Sequence, residues 1–440
     1  MQLLLALALV LALGCAPSAP TPEDAAPLTV ILGAKLIDGT AADPIEDSVV
    51  VIEGNQILAA GPRSSTPTPD GAETIDGAGK TIIPGLVELH SHYHGDPAEV
   101  RRQFGAQLAF GVTTSRSIGT DPDENLAAIE EVRAGQIPGP RMFTAGRGFT
   151  HPEGHPITQT VVRRPATPDE ARQDVRELAA QEVDFVKMWV DSKYEALPKI
   201  SREVREAVVD EAGKRNIPAV AHIFDLDDLE HLIGIGVTDF LHAVRDVEPL
   251  PTDVVELCKS RGVSFATTLT VIESNWLFPE DPRLLEDDPE ALAALSPDMV
   301  ANLRDQAWRD QKLASSPIDI LKPELEQSKR FFKQMHDAGI ALTLGSDSGS
   351  GTIPTGWGSH NELRLLVESG IPPVDVLRIA TGSSAKRLGS KGADFGILKP
   401  GKIADLVLLD ADPTQDIRNS RKISRVMRAG QWVDRSVLGR

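Results

Sequence analysis

Six side chains that can bind a metal ion or move a proton follow short apolar runs spread along the chain. They are His90, His92, Lys187, His222, His242 and Asp347. The runs that contain them read LVELHSH, VDFVKMW, PAVAH, TDFLHA and IALTLGSD, and such apolar, β-branched segments are typical of buried strands. Side chains at the carboxyl ends of parallel strands converge at one rim. The pattern therefore predicts a metal centre at the C-terminal rim of a barrel.

The elements that would position these side chains alternate between strand-like and helix-like patterns. We expect eight strands that end near Leu89, Ser117, Ala145, Trp189, His222, His242, Thr270 and Ser346. Helical patterns lie between most of them, and Thr167–Pro168 and Ser201 are typical helix starts. Such alternation indicates an α/β fold with a parallel sheet. We predict a (β/α)8 TIM barrel over residues 82–391.

Both ends of the chain differ in texture from this central part. Residues 28–81 and 392–440 contain short strand patterns separated by Gly, Asn and Pro, and neither end has enough strands for a core of its own. We therefore expect one small β-sandwich built from both ends. A helical insertion is predicted near 273–323, with Trp276, Phe278 and Trp308. It could be a lid over the pocket or an outer layer with its own small core.

Charge and cysteine content exclude two classes of protein. The 440 residues include 45 Lys and Arg against 64 Asp and Glu, which gives a net charge of −19. No basic stripe is visible to neutralise phosphates, so we expect a small-molecule substrate and no nucleic acid. The two cysteines, Cys15 and Cys258, cannot build a disulfide framework.

The first residues read as an export signal. Met1–Gly14 is apolar and uncharged, Cys15 follows a small residue, and a Pro- and Ala-rich linker extends to residue 27. The segment resembles a bacterial lipoprotein signal, although it lacks a basic start and has Ala12 where Leu is usual. We expect an exported protein held in the cell envelope by a lipid on Cys15, facing the periplasm or the surface. A plain signal peptide or an uncleaved anchor would be the alternative.

The histidine pair of the first barrel strand identifies a family resemblance. His90 and His92 are two residues apart, so in a strand both rings face the same side and can grip one ion. The segment PGLVELHSH resembles the first-strand signature of the amidohydrolase superfamily, with Glu88 where Asp is commoner. GILKPGKIADLVLLDADP is similar to the C-terminal strands of that superfamily. The resemblance runs from about Leu28 to the end of the chain.

The resemblance implies a binuclear metal site of the kind that uses a carboxylated lysine. Two divalent ions, which we expect to be Zn²⁺, would be bound by His90, His92, Lys187, His222, His242 and Asp347. Lys187 would carry a carbamate derived from carbon dioxide and bridge the metals. Asp347 would be the catalytic residue that moves the proton of a metal-bridging hydroxide. The residues alone leave other roles open: Lys187 could reach the rim or pair with Asp184 or Asp191, and Asp347 could form an Asx-turn.

A loop after the third barrel strand offers candidate substrate contacts. AGRGFTHPEGHP resembles the family loop that overhangs the site. We expect His155 to contact the substrate or its oxyanion, with His151 behind it, and Arg147 to meet a substrate carboxylate. For His151 and Arg147, a loop packed by its own residues fits equally well.

The predicted function is hydrolysis of an amide-type C–N bond, with prolidase- and imidazolonepropionase-like amidohydrolases as the nearest resemblance. A dipeptide or an N-acyl amino acid is the expected substrate class. A mononuclear deaminase would not need Lys187, whereas a lactonase or phosphotriesterase-like hydrolase would share the whole metal set. A surface-tethered binding protein that has lost the chemistry is the alternative outside the enzymes. The sequence leaves open whether copies of the chain form a homo-oligomer.

Overall fold

The structure of the chain, a computed structural model, describes residues 28–438. The predicted signal segment, the linker and the lipidation site at Cys15 lie outside the described residues. A search of the described part finds no helix with both the length and the apolar character to cross a membrane.

Strands in the described residues form three hydrogen-bonded sheets. The strands are β1 (Leu28–Leu36), β2 (Ile45–Glu53), β3 (Gln56–Pro62), β4 (Glu73–Asp76), β5 (Thr81–Pro84), β6 (Leu86–Ser91), β7 (Val112–Ser117), β8 (Arg141–Thr144), β9 (Val186–Trp189), β10 (Ala219–His222), β11 (Asp239–Leu241), β12 (Ser264–Ala266), β13 (Ala341–Thr343), β14 (Leu406–Leu409), β15 (Ile423–Arg428) and β16 (Gln431–Trp432).

Helices fill most of the intervals between the central strands. They are α1 (Pro97–Ala109), α2 (Asp123–Arg133), α3 (Pro168–Ala180), α4 (Arg202–Gly213), α5 (Leu226–Gly234), α6 (Thr252–Ser260), α7 (Leu269–Glu273), α8 (Leu277–Glu280), α9 (Arg283–Glu286), α10 (Pro289–Ala293), α11 (Pro297–Arg304), α12 (Gln306–Ser315), α13 (Ile318–Asp337), α14 (Trp357–Glu368), α15 (Pro373–Arg378) and α16 (Ser384–Arg387). A π-helical turn, Ile379–Ser383, joins the last two.

The central strands are parallel and fall into two sheets. One has the order β6-β7-β8, and the other has the order β13-β12-β11-β10-β9. Each predicted strand is present, but β12 and β13 end at Ala266 and Thr343 rather than near Thr270 and Ser346. The chain leaves the sheet early there because Leu269 begins helix α7 and because residues after Thr343 turn over the rim. The fold is α/β with parallel sheet segments, as predicted.

Backbone hydrogen bonds connect the two parallel sheets at both junctions. The Leu89 amide donates to the Leu344 carbonyl over 2.8 Å, and the Asp347 amide donates to the His90 carbonyl over 2.9 Å. At the other junction, the Asp184 amide donates to the Thr144 carbonyl over 2.8 Å. The first strand of the series is thereby held beside the last, which brings their side chains to one place.

Both ends of the chain contribute to a separate eight-stranded sheet with the order β16-β15-β14-β5-β1-β2-β3, in which β4 pairs with β1. Its apolar residues pack on two sides, with Ile31, Val50 and Leu408 in one cluster and Val49 and Val51 in another. The joining of the two ends in one assembly agrees with the expectation from sequence. The layering as a β-sandwich stays a prediction.

Helix starts follow the predicted capping signals. The Thr167 hydroxyl accepts the Glu170 amide at 3.3 Å at the start of α3, and the Ser201 hydroxyl accepts the Val204 amide at 3.4 Å at the start of α4. Each bond satisfies an amide that has no partner within the first helical turn. The buried faces of both helices pack in the largest apolar cluster, which also contains Met188 of β9.

The predicted insertion is helical and has two kinds of neighbour. Phe278, Leu285 and Leu303 pack with Trp308 in an apolar cluster of their own. In the same segment, Pro317 and Leu321 line the cavity described below. The segment is thus an outer layer with its own core that also reaches the pocket wall.

Candidate functional site

A cavity of about 540 Å³ opens where the carboxyl ends of the parallel strands meet. Five of the six side chains singled out from the sequence line it: His90, His92, His222, His242 and Asp347. Lys187 is completely buried. The carboxyl ends of parallel strands meet at one rim, which explains why these side chains converge.

Three of these side chains form a tight group at the junction of the first and last central strands. His90 stands on β6 and His92 follows it directly, and their Nε2 atoms lie 3.5 Å and 3.3 Å from Asp347 Oδ1. One potential ligand atom of each residue falls within 4.8 Å of the others. Two imidazoles and a carboxylate at this spacing are a donor set that suits Zn²⁺ or a similar cation.

His242 and His222 continue this group across the cavity. The ring centroids of His90 and His242 are 5.0 Å apart, and those of His242 and His222 are 4.1 Å apart. The four histidines therefore make an unbroken series of neighbouring rings. Such a series can hold a second cation beside the first.

Lys187 lies within β9 and carries a buried amine without a hydrogen bond. Among the described residues, its Nζ has no hydrogen-bond partner, and it lies 4.8 Å from the centroid of the Trp189 ring. The two acidic partners considered from sequence are engaged elsewhere: Asp184 with Arg133 and Lys391, and Asp191 with His222. Burial holds the pKa of the Lys187 amine well below its usual value, against the opposing charge of Asp347. A lowered pKa favours the uncharged, nucleophilic form of the amine.

Two glycines leave the space that the Lys187 side chain occupies. A Cβ placed on Gly119 would lie 2.9 Å from Lys187 Cγ, and one on Gly148 would lie 3.1 Å from the same atom. Both would also collide with Trp189, at 2.8 Å and 2.4 Å. The absence of these two side chains is what allows a lysine to extend beneath the cavity.

In His92 and His242, a hydrogen bond on Nδ1 leaves the other ring nitrogen available. His92 Nδ1 lies 2.9 Å from the Thr120 hydroxyl, and His242 Nδ1 lies 2.7 Å from the Thr268 hydroxyl. Burial lowers the pKa of His222 to about 4 and places that of His242 well below its usual value. The rings of His222 and His242 are therefore neutral near pH 7, as metal ligands must be.

Asp347 is ionised and held in an uncommon backbone conformation. Burial alone would raise the pKa of its carboxyl group, but the rings of His90 and His92 outweigh burial and lower it. Its φ is 58°, and that of His242 is 74°, both in the left-handed region that L-residues disfavour. Backbone strain of this kind is concentrated at functional sites.

The overhanging loop brings one of its three candidate residues to the cavity. His155 lines the cavity, and burial lowers its pKa to about 2. Arg147 instead donates to Asp123 over 2.9 Å, and His151 Nδ1 accepts the Glu153 amide at 3.1 Å. Neither Arg147 nor His151 lines the cavity in the part of the chain that the structure describes. The loop's own contacts hold them away from it.

Comparison with known protein families shows to which family the chain belongs. Residues 81–433 match the model of the Amidohydrolase family. The chain belongs to this family. The match includes every candidate ligand and the parallel strands that carry them, so the resemblance and the hydrolase class predicted from sequence are confirmed.

The proteins to which this chain is similar are distant from it in sequence but alike in length and fold. Ochratoxinase of Aspergillus niger is 23% identical over 458 residues, which cover 93% of this chain and 87% of that protein. Imidazolonepropionase of Streptomyces griseus is 24% identical over 417 residues, which cover 90% and 95%. A solved Xaa-Pro dipeptidase with bound methionine superposes with a TM-score of 0.73 at 20% identity, covering 92% of this chain and 99% of that one. At this identity the superposition shows the fold alone.

In this amidohydrolase, two buried carboxylates support the candidate ligands, a role that the sequence did not indicate. Glu88 is completely buried and accepts the amides of His90 at 3.0 Å and Ser346 at 2.9 Å, so it ties β6 to the segment before Asp347. Asp191 accepts from His222 Nε2 at 2.9 Å. An ionised Asp191 fixes the proton on Nε2 and leaves Nδ1 of His222 free to bind a cation. The feature of the sequence that could have indicated the role of Asp191 is its position, two residues beyond β9 at the same rim.

Proposed function

We propose that this amidohydrolase hydrolyses the amide C–N bond of a dipeptide or an N-acyl amino acid and binds two divalent metal ions. One observation carries the proposal: Lys187 is a buried amine with no hydrogen-bond partner among the described residues, within electrostatic range of Asp347, His90, His222 and His242. A mononuclear deaminase or a binding protein would have no use for such a costly group.

The amine of Lys187 suits the proposed modification. An uncharged amine can attack carbon dioxide, release a proton and become a carbamate, an anion with two oxygen ligands. The two oxygens of that anion would supply negatively charged ligand atoms for the cations, which the neutral amine does not. Zn²⁺ is the expected metal, since neutral imidazoles and carboxylate oxygens are its usual ligands alongside thiolates.

The proposal also includes the finer architecture. We place the eight central strands in a closed barrel, which the hydrogen bonds at both junctions between the parallel sheets support. Buried residues on two sides of the terminal sheet support a sandwich. A barrel would explain why the ends of β6, β9, β10 and β11 face one cavity.

Chemistry at the site would be shared between metals and protein groups. His90, His92 and Asp347 would hold one ion, His222 and His242 the other, and the Lys187 carbamate both. When bound, the two cations would make hydroxide available near neutral pH and polarise the scissile carbonyl. Asp347, ionised in the free site, would accept the proton of the attacking water and deliver it to the leaving nitrogen. His155 would donate a hydrogen bond to the oxygen of the former carbonyl.

The substrate class is supported by the relatives and by the cavity. The Xaa-Pro dipeptidase and ochratoxinase are named for hydrolytic activities, and both cover almost the whole chain. The cavity combines apolar walls, including Trp189, Ile272 and Leu321, with the charged groups at its base. An amide that carries one apolar and one polar half fits this distribution.

Metal analysis of Lys187→Ala beside wild type tests the proposal. Enzyme produced with zinc and bicarbonate should contain close to two metal ions per chain, and the variant should lose metal and activity. Lys214→Ala is the matched control, because that lysine pairs with Asp210 at an exposed position. One ion per chain that the variant retains would favour a deaminase.

A substrate panel completes the test. It should contain N-acetyl-L-methionine and other N-acyl amino acids, Xaa-Pro and Xaa-Met dipeptides, aminopurine nucleosides, lactones and an organophosphate. Hydrolysis of dipeptides or acyl amino acids is the expected result. A metal-loaded enzyme that turns over only nucleosides, lactones or organophosphates would overturn the substrate class, and one that turns over nothing would indicate a binding protein.

A further inference from the structure

Two cationic side chains line the outer wall of the cavity, and each is paired with a buried carboxylate. Lys193 and Arg245 line the cavity, whereas Asp191 and Glu324 are absent from its described lining. Lys193 Nζ lies 2.8 Å from Asp191 Oδ2, and Arg245 pairs with Glu324. The side chains of Asp191 and Glu324 are only 1% and 5% exposed. The groups that a substrate meets on this wall are therefore an ammonium and a guanidinium group, each paired with a carboxylate on its buried side.

Arg245 has a hydrogen-bond donor that the protein does not use. Its side chain is 10% exposed, and its guanidinium carbon lies 5.2 Å from the centroid of the Phe224 ring. One terminal nitrogen donates to Glu324, and the buried Nε has no partner among the described residues. A buried donor without an acceptor is unfavourable. Arg245 itself lines the cavity, so its guanidinium presents a positive charge to a ligand there.

The backbone that presents Lys193 is strained. Lys193, Tyr194 and Glu195 have φ angles of 48°, 59° and 66°, three successive left-handed residues without a glycine. The turn is held by the Ser192 carbonyl, which accepts the Leu197 amide at 2.8 Å. The Tyr194 hydroxyl donates to Glu324, the same carboxylate that holds Arg245. Strained turns fixed in this way are typical of ligand-binding segments.

We propose that Lys193 and Arg245 bind a carboxylate of the substrate and restrict the enzyme to acyl amino acids and dipeptides whose C-terminal carboxylate is free. This inference rests on the proposed function and adds the specificity residues to it. Ammonium and guanidinium donors form charge-assisted hydrogen bonds to carboxylates. The candidate metal ligands lie at the base of the same cavity, so a carboxylate on its wall would place the adjoining amide toward them.

Paired kinetics on a carboxylate substrate and its amide tests the inference. The best-hydrolysed acyl amino acid or dipeptide of the panel and its C-terminal carboxamide are assayed by release of the acyl half. Wild type should prefer the carboxylate. Lys193→Gln should lower the ratio of kcat/KM for acid over carboxamide about tenfold, through a higher KM for the acid. Its metal content should match wild type.

Two further variants keep the test decisive. Lys214→Gln, an exposed lysine paired with Asp210 over 2.7 Å, should leave the ratio unchanged. Arg245→Lys keeps the positive charge but replaces the planar guanidinium, which has several donors, with a single ammonium group. It should also lower the ratio of kcat/KM for acid over carboxamide. If wild type hydrolyses acid and carboxamide equally and Lys193→Gln changes nothing, the carboxylate subsite is wrong while the proposed function stands. If wild type hydrolyses no amide of the panel, the proposed function falls and the subsite with it.

Discussion

The base and the mouth of the cavity are built in different ways. We call His90, His92, Lys187, His222, His242 and Asp347 the floor, and Lys193, Tyr194, Phe224, Arg245 and Glu324 the mouth. Every floor residue is at most 7% exposed and lies in or close behind a strand of the parallel sheets. The mouth residues lie on the segments after β9, β10 and β11 and on α13. The comparison suggests that strands set the chemistry and that loops set the choice of substrate.

The largest effect should come from a floor variant that removes the proposed proton carrier. Asp347→Asn keeps the size of the side chain but cannot accept a proton, so kcat should fall by about 10²–10⁴ with little change in KM. Steady-state kinetics on the best substrate of the panel measures this. Asp337→Asn, at the exposed end of α13, is the control. Activity within tenfold of wild type would show that another group moves the proton.

A smaller effect is expected from Asp191, which contacts both regions. Its carboxylate accepts from His222 of the floor and pairs with Lys193 of the mouth. Asp191→Asn should weaken metal binding by about 10–100-fold, because the orientation and tautomer of His222 are no longer fixed. Competition with a zinc chelator gives the affinity. Lys193→Gln separates the two contacts, and an equal loss of metal affinity in that variant would contradict the division into floor and mouth.

The floor could be predicted from sequence because its geometry follows from local rules. Two histidines at i and i+2 in one strand share a side, and a residue that ends a buried strand emerges at the rim. The role of Asp191 could not be predicted, since Asp184 and Asp191 lie at similar distances along the chain from Lys187 and only the fold aims one at His222.

The mouth was not predictable for two physical reasons. Glu324 lies 130 positions from Tyr194 and 79 from Arg245, and no local pattern reports such a contact. The left-handed turn at Lys193–Glu195 has no Gly or Asn, the residues that normally signal positive φ. The family resemblance predicted the residues of the floor. It also suggested cavity contacts for Arg147 and His151, whose local partners hold them elsewhere.

Part of the pH dependence of stability in the metal-free enzyme should come from the floor, and another part from residues outside it whose pKa values burial also lowers, namely His94, His155 and His360. Burial lowers the pKa of His222 to about 4, from an ordinary value of 6.5. Below pH 6.5 the unfolded chain therefore binds a proton that the folded chain does not, so stability falls as pH drops. His90 and His242, with pKa values well below normal, act in the same direction. We expect His222 alone to contribute a loss of roughly 1 kcal/mol between pH 7.5 and 5.5.

Urea unfolding of chelator-treated enzyme at the two pH values measures this loss. His222→Asn should reduce the pH dependence, whereas His231→Gln on α5, away from the cavity, should preserve it. A His222→Asn variant with the same pH dependence as wild type would mean that the pKa of His222 is not lowered by folding.

The smallest effect should come from the mouth, where Tyr194→Phe removes one hydroxyl. That hydroxyl donates to Glu324 and so links the strained turn to α13 and to Arg245. Loss of one hydrogen bond at a half-exposed residue is worth about 0.5–1 kcal/mol, which corresponds to a roughly two- to fivefold rise in KM for the carboxylate substrate. Metal content and kcat should not change, because the ring still packs edge-on against Phe224. Measured loss of metal in this variant would mean that mouth and floor are one coupled unit, and that the loops shape the metal centre as well as the choice of substrate.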